Sequence, residues 1–496
     1  MKEHQSSYRQ IVKATSLFGG IQVFEIAITI VRTKFIAVLL GPVGMGITGL
    51  LTTTLALITS ITNFGLRTSA VKDISAANAT QDHERISVVV ISFRRLVWIT
   101  GILGTLVTLA LSRWLSKITF GNEDYSLAFV WISITLLFNQ ISSGQMVLLQ
   151  GMRKLNYLAK ANMIGSFLGL VLVIPLYYYY NVDGIVPGII ATSLVSMVIS
   201  WFFSKKVKIN PVKVNYKDTF AHGQSMLALG FVISITGMID QLLAYIIRIY
   251  ISNNGGLDQV GLYSAGFAMI NSYVGLIFTA MATDYFPQLC SMAEDNKLCR
   301  QAINHQAEVA ILILAPLIII FLVFINWAII ILYSTKFIAI NGMIHWAVLG
   351  IFFKAVGWAI GFVFLAKGAT KIYFYTYILA TVTILTTNIL GYKFLALEGL
   401  GIAFLVSYIL MLFPGYFVAK AKYQFSFDSS LVRIFLIQFV IATFCFFVVK
   451  FISAPYSFYV GSLFITISLY YSYKELDKRI DIRSLFISTR ERFSKK

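Results

Sequence analysis

Three observations predict an all-α polytopic membrane protein. The 496-residue chain is 58% hydrophobic and only 12% charged, with a mean hydropathy of +0.79. Soluble domains carry about 25% charged residues. Apolar stretches long enough to cross a bilayer recur along the whole chain, and the basic residues gather in alternate loops between them. A soluble enzyme, a zinc protein and a disulfide scaffold are all disfavoured. Three cysteines (Cys290, Cys299 and Cys445) and five scattered histidines form no framework and no metal-ligand spacing.

A helix needs about 20 mostly apolar residues to span the hydrocarbon core. On that rule the spans fall at 14–39, 43–66, 87–111, 127–149, 160–180, 185–203, 224–250, 260–283, 303–332, 344–366, 371–392, 399–419, 431–451 and 456–473. The first is no cleavable signal, because it runs on too far, carries Glu25 and lacks a small-residue cleavage site. Only a short turn at Pro455 separates the last two. The Tyr177–Tyr180 run ends the fifth span, where an interfacial aromatic belt is expected.

The net charge of +19 would suggest nucleic acid in a soluble protein. Here it supports topology. With the N-terminus cytoplasmic, 31 of the 40 basic residues lie in cytoplasmic loops or the tail, five lie outside, and Arg32, Lys34, Arg248 and Lys354 lie at membrane depth. That asymmetry is the positive-inside pattern and places both termini in the cytoplasm. No nucleic-acid partner is needed to explain the basicity. The loops are too short for an independent domain, and no G-x-x-x-x-G-K-[ST] loop is present for an ATP-driven motor. No cofactor is expected.

An internal repeat organises the spans. Val43–Leu50 (VGMGITGL) resembles Val260–Phe267 (VGLYSAGF), and Gly151–Tyr157 (GMRKLNY) resembles Gly368–Phe374 (GATKIYF), both at an offset of 217. Asp183-Gly184-Ile185 resembles Glu398-Gly399-Leu400 at an offset of 215. The unit is six spans, an even number, so the copies are parallel. The expected architecture is two six-helix lobes, 1–215 and 216–425, around a central cavity, followed by a helix pair at 426–475 and a basic cytoplasmic tail at 476–496.

Charges inside spans mark candidate sites, since each costs about 2.5–3.5 kcal/mol at the bilayer centre on insertion scales. Gln22, Glu25, Thr29 and Arg32 form one helical stripe in span 1; Asp240 and Arg248 share a face of span 7. Each acid–arginine set is either a neutralised pair holding the bundle together, or an arginine facing an anionic substrate with the acid orienting it or taking a coupling ion. Arg32 and Lys34 also lie near enough to an interface to snorkel. A guanidinium suits phosphate, because it stays charged and presents a planar donor fork. Lys354 shares a face with Gly350, Gly357 and Gly361, a spacing that serves close helix packing or a cavity wall. Arg67 closes the segment NFGLR and is either a cytoplasmic gate or a further topogenic charge. His305 and Glu308 stand one helical step apart at the start of span 9.

Span 1 with its arginine, LLGPVGMGITGL (Leu39–Leu50), the NFGL end of span 2 and LLQGMRKLNYLAKANMIG (Leu148–Gly165) resemble the Wzx-type O-antigen translocases. These are polysaccharide flippases of the multidrug/oligosaccharidyl-lipid/polysaccharide exporter superfamily. The resemblance covers spans 1–12, most firmly the first half. It implies an undecaprenyl-diphosphate-linked oligosaccharide moved from the inner to the outer leaflet of the bacterial cytoplasmic membrane, with membrane lipids around it. By position, the family's cavity cations correspond to Arg32, Arg248 and Lys354. It also implies coupling to an ion gradient, H+ or Na+, and leaves room for polysaccharide polymerase or chain-length machinery as a partner.

Two other readings stay open at this point. An ion-coupled multidrug exporter of the same superfamily would receive cations, whereas membrane depth here holds four bases against two acids. An O-antigen polymerase or ligase would need a large external loop, and the longest here is roughly 112–126.

The orientation is tested by cysteine accessibility. Single cysteines at Asn122 and Val182 are expected to react with an impermeant thiol reagent from outside, and those at Lys154 and Val214 from inside; the reverse pattern would invert the topology.

Overall fold

Hydrocarbon offers no partner for a backbone N–H or C=O, so each apolar run must satisfy its own hydrogen bonds as a helix. The computed structural model describes residues 2–210, 212, 215–453 and 455–480. Most of the predicted basic tail (481–496) lies outside the described residues, as do Lys213 and Val214. Among the described residues there is no strand.

The helices are α1 (Lys2–Leu39), α2 (Gly41–Thr62), α3 (Leu66–Ala79), α4 (His83–Ala110), α5 (Ser112–Phe120), α6 (Ser126–Gly151), α7 (Leu155–Tyr180) and α8 (Ile185–Ser204). They continue as α9 (Tyr216–Ala268), α10 (Gly275–Ser291), α11 (Asn296–Leu332), α12 (Asn341–Ala366), α13 (Thr370–Tyr423), α14 (Ser429–Phe451) and α15 (Tyr456–Ile480). All fourteen predicted spans fall on helical segments. Spans 7 and 8 are separated by a break in α9 at Gly256, whose φ of 87° glycine adopts without cost. Span 8 then runs through a π-helical stretch, Met269–Val274, into α10. Spans 11 and 12 lie either side of a break in α13 at Leu395 and Ala396.

Local sequence sets the helix starts. Asp82 caps α4, its Oδ1 accepting from the backbone N–H groups of Glu84 (2.9 Å) and Arg85 (3.1 Å). Asp295 does the same for α11, accepting from Lys297 N (2.7 Å) and Leu298 N (3.1 Å). Two helices were not anticipated. α3 is too short to span, but Leu66, Ala70, Ile74 and Ala77 form a buried face that packs on α6. α5 buries Leu115 and Thr119, and Thr119 Oγ1 shares a 2.8 Å hydrogen bond with the Tyr245 hydroxyl of α9.

By its internal contacts the chain forms two compact units. The first is Met1–Gly261 with Leu332–Ser334; the second is Leu262–Ile331 with Thr335–Lys496. This division falls one span later than the boundary at 215 set by the repeat offset. The reason is packing: span 7 lies against α2 within the first unit, through backbone contacts described below. In the same unit α1 packs on α7, α4 on α6, and α8 on both α6 and α7.

In the second unit α12 packs along α13, and α14 along α12 and α15. Polar links hold both ends of α14. Lys450 near its end donates to Glu398 Oε1 (2.6 Å), which also accepts from Trp346 Nε1 (2.8 Å); these bonds hold the Glu398 carboxyl below the usual carboxylate range. At the other end Arg479 of α15 donates to Ser430 Oγ (2.8 Å), Glu475 Oε2 (2.7 Å) and Glu308 Oε2 (2.8 Å). Glu308 is thereby buried and paired, whereas His305, one step away on α11, is exposed.

Removing one partner of a buried charged hydrogen bond leaves the other desolvated, at a cost of about 1–3 kcal/mol. Glu308→Ala is therefore expected to lower the thermal midpoint of the detergent-solubilised protein, and His305→Ala to leave it unchanged.

Candidate functional site

The candidate site is a cavity of about 740 Å³ within the first unit. Its wall is built from α1, α2, α3, α6, α7, α8 and the first half of α9. From α2 come Thr48, Thr52, Leu55, Ala56, Thr59 and Ser60, most of them at helical spacing along one face, with Asn63 just past its end. α9 contributes Ser234, Thr236, Gly237, Met238 and Gln241, and α8 contributes Thr192 and Ser193. Nine serines and threonines and three amides line it, and Arg32 is the one charged side chain among its described lining residues. The surface can therefore donate and accept many neutral hydrogen bonds while offering a single cation.

Arg32 projects from α1 toward α7, where a Cβ at Gly169 would sit 3.6 Å from its Nη2. Among the described residues its buried Nε–H has no hydrogen-bond partner and no carboxylate forms an ion pair with it. The neutralised Glu25–Arg32 pair is thus not formed. Glu25 is half-buried on the same helix but is not part of the cavity wall; its carbonyl accepts from Thr29 Oγ1 (2.8 Å). Lys34 is used structurally, its Nζ donating to the Tyr333 carbonyl at 2.6 Å.

The other predicted residues are placed as follows. Arg248 and Asp240 lie on α9 outside the cavity wall. Arg248 stands two helical turns beyond Gln241 and donates to the Ala244 carbonyl (3.1 Å). Arg67 sits on the first turn of α3 and lines a smaller cavity of about 220 Å³, which shares Thr59, Asn63 and Asn139 with the larger one. Lys354, in the second unit, has its ammonium 5.5–5.7 Å from the ring centres of Phe278, Phe404 and Tyr408, within cation–π range. Of the glycines on its face, Gly350 packs on Phe404 and Leu405, while Gly357 and Gly361 have open space beside them. The structure therefore brings Arg32 and the Arg67 region to neighbouring cavities and does not gather the arginines of spans 1 and 7 in one wall.

Several wall residues escaped sequence reasoning. Tyr177 was grouped with an interfacial belt, yet it is 3% exposed and lines the cavity, whereas Tyr178, Tyr179 and Tyr180 are 62–75% exposed. The legible signal was spacing: Gly169, Val173 and Tyr177 recur every four residues. The Thr48, Thr52, Thr59 and Asn63 stripe of α2 was readable in the same way.

Backbone contacts hold α2 against α9 at both ends of this wall. Near the start of α2 a Cβ at Gly46 would overlap the Leu257 carbonyl oxygen, and one at Gly261 the Pro42 carbonyl. Just beyond its end, Gly65 (φ 63°) touches Gly230 so closely that a Cβ on Gly65 would overlap the Gly230 carbonyl. The turn there is closed by the Gly65 N–H donating to Asn63 Oδ1 at 2.7 Å.

Helical architecture, apolar spans and a polar cavity at membrane depth define the class: a polytopic membrane protein with a transporter fold. The solved lipid II flippase MurJ, in its inward closed conformation, superposes with a TM-score of 0.71 at 13% identity, over 94% of this chain and 99% of that one. An inward-facing multidrug resistance MATE transporter of the MOP superfamily gives 0.63 at 15% identity, over 83% and 96%. Residues 35–341 match the model of the polysaccharide biosynthesis protein family, and the chain belongs to that family. Among its relatives, a Shigella flexneri protein named as an O-antigen transporter is 27% identical over 308 residues, 60% of this chain and 70% of the relative. The lipid III flippase of Escherichia coli K12 is 20% identical over 367 residues, 73% and 87% respectively.

The Gly65–Gly230 contact lies two residues past Asn63 of the wall. Gly230→Val is expected to force the turn from α9 and to raise the labelling rate of a cysteine at Thr59 by an impermeant thiol reagent severalfold. An unchanged rate would show that the contact does not limit access.

Proposed function

We propose that this chain is a flippase for a lipid-linked oligosaccharide. It would move an undecaprenyl-diphosphate-linked repeat unit of O-antigen type from the inner to the outer leaflet of the bacterial cytoplasmic membrane, with both termini cytoplasmic. The observation that carries this reading is the cavity: among the described residues, one arginine without a carboxylate partner, set among neutral hydroxyls and amides. The names of the relatives point the same way.

The chemistry of such a substrate divides into two parts, and the wall divides likewise. Its diphosphate is the part whose desolvation opposes crossing most strongly. A guanidinium with an unused N–H offsets that loss through charge-assisted, bidentate hydrogen bonds. The sugars present hydroxyls that donate and accept alike, which Ser, Thr, Asn and Gln can match. A site for lipophilic cations would instead pair an acid with apolar walls, and no acid is among the described residues that line this cavity. Transport would follow alternating access between two six-helix lobes. In it Arg248 and Lys354 serve as further cations along the path, Glu25 and Asp240 orient arginines or take up a coupling ion, and Arg67 acts at the cytoplasmic end.

A charge-assisted hydrogen bond contributes about 1.5–3 kcal/mol, which corresponds to tenfold or more in an equilibrium. Arg32→Ala is accordingly expected to cut surface polysaccharide by at least about tenfold while the protein remains inserted at normal level. Arg32→Lys should recover part of the loss if charge alone suffices, and little if the fork matters. Arg248→Ala is expected to lower export as well. Normal export in the Arg32→Ala strain would remove the cavity from the mechanism.

A further inference from the structure

A second concavity, of about 610 Å³, lies between α4, α6 and α8, and shares no lining residue with the 740 Å³ cavity. It sits where Arg94 and Trp98 of α4 meet Trp201 and Lys205 at the end of α8, beside Gln145 near the end of α6. On the topology proposed above, these are the cytoplasmic ends of three spans. The floor is tight: a Cβ at Gly144 would sit 2.8 Å from the Val97 side chain.

Its chemistry is mixed in a particular way. The tryptophans are half exposed, Trp98 at 51% and Trp201 at 52%, on a face that a bilayer would cover. Within that apolar frame Arg94 is exposed and has no hydrogen-bond or ion-pair partner among the described residues. A guanidinium near a span end takes its acceptor from interfacial water or from a lipid headgroup. Lys205 adds a second cation, its Nζ 4.9 Å from the Trp201 ring centre. Ser204 donates to Gln145 Oε1 (2.7 Å), leaving the Gln145 amide NH2 as a further donor at the same place. Two cations and an amide beside apolar walls fit a phosphodiester with a hydrocarbon chain attached. Tryptophan at headgroup level is the usual companion of such a site, and basic pockets between spans on the cytoplasmic side suit anionic headgroups.

We propose that this groove binds one anionic phospholipid of the inner leaflet. The headgroup phosphate lies on Arg94 and Lys205, and an acyl chain runs along Trp98, Val198 and Trp201. The groove shares Phe93, Val97 and Gly144 with the 220 Å³ cavity but no lining residue with the 740 Å³ cavity; the inference rests on the proposed orientation of the chain and not on which substrate is flipped.

The test uses the full-length protein in vesicles of brominated phosphatidylglycerol or brominated phosphatidylcholine. Fluorescence quenching assigned to the groove is the difference between the wild type and W98F/W201F. It is expected to be at least twofold stronger in phosphatidylglycerol, and R94Q/K205Q should bring it down to the phosphatidylcholine level. R94K, which keeps the charge, should keep the preference, and serves as the variant least disturbing to the fold. Equal quenching by the two lipids in the wild type would overturn the proposal, as would a preference that survives in R94Q/K205Q. Inorganic phosphate in the millimolar range is expected to leave the preference intact; its loss would put a soluble anion in the groove and overturn the lipid assignment.

Discussion

The first unit depends on the close approach of α2 to α9. Where segments approach backbone to backbone, at least one residue must lack a side chain on the contact, and here the approaches are Gly46 to the Leu257 carbonyl, Gly261 to the Pro42 carbonyl and, in the turn after α2, Gly65 to Gly230. In a lipid environment such contacts matter more than in water, because apolar side chains gain little by turning from lipid to protein. α2 is 22 residues long, or about 33 Å at 1.5 Å per residue, the thickness of a hydrocarbon core. Held near both ends, it presents its threonine face to the space that remains between. The cavity is what two fixed ends leave in the middle.

Charge is accommodated by several separate devices. Lys34 is tied to a backbone carbonyl, Lys354 rests among three aromatic rings, and Arg479 is shared by two carboxylates and a serine. Each is settled inside the protein. Arg32 and Arg94 are the contrast: neither has an ion-pair partner among the described residues, one in a hydroxyl-rich cavity and the other on the outer face beside two tryptophans. A cation that the protein does not neutralise itself is a cation available to something else.

Much of this was legible in the sequence, for physical reasons. Hydropathy and loop charge recover the helices, because the bilayer imposes length and the absence of backbone partners imposes helicity. The stripe through Arg32 was readable because 3.6 residues make a turn. The partner of that stripe was not. Arg248 shares a repeat position with Arg32, but it stands two turns beyond the last residue of α9 that lines the cavity, which depends on how segments meet in space. Tyr177 differs from the three tyrosines after it by its burial, which composition does not register. α3 and α5 were missed because a span-length criterion discards helices that lie beside a membrane rather than across it. Arg94 is one of the 31 basic residues assigned to the cytoplasmic side, and only its surroundings in the fold distinguish it from the others.

The polar links at the two ends of α14 have a mechanical consequence. One end is tied through Lys450 to Glu398 on α13, and the other through Ser430 and Arg479 to Glu308 on α11. A rod pinned at one point can swivel, but one pinned at two points transmits torque. The last helix pair is therefore a passenger bolted to its carriage, and rotation of the second unit would sweep α14 and α15 through the surrounding lipid by the same angle.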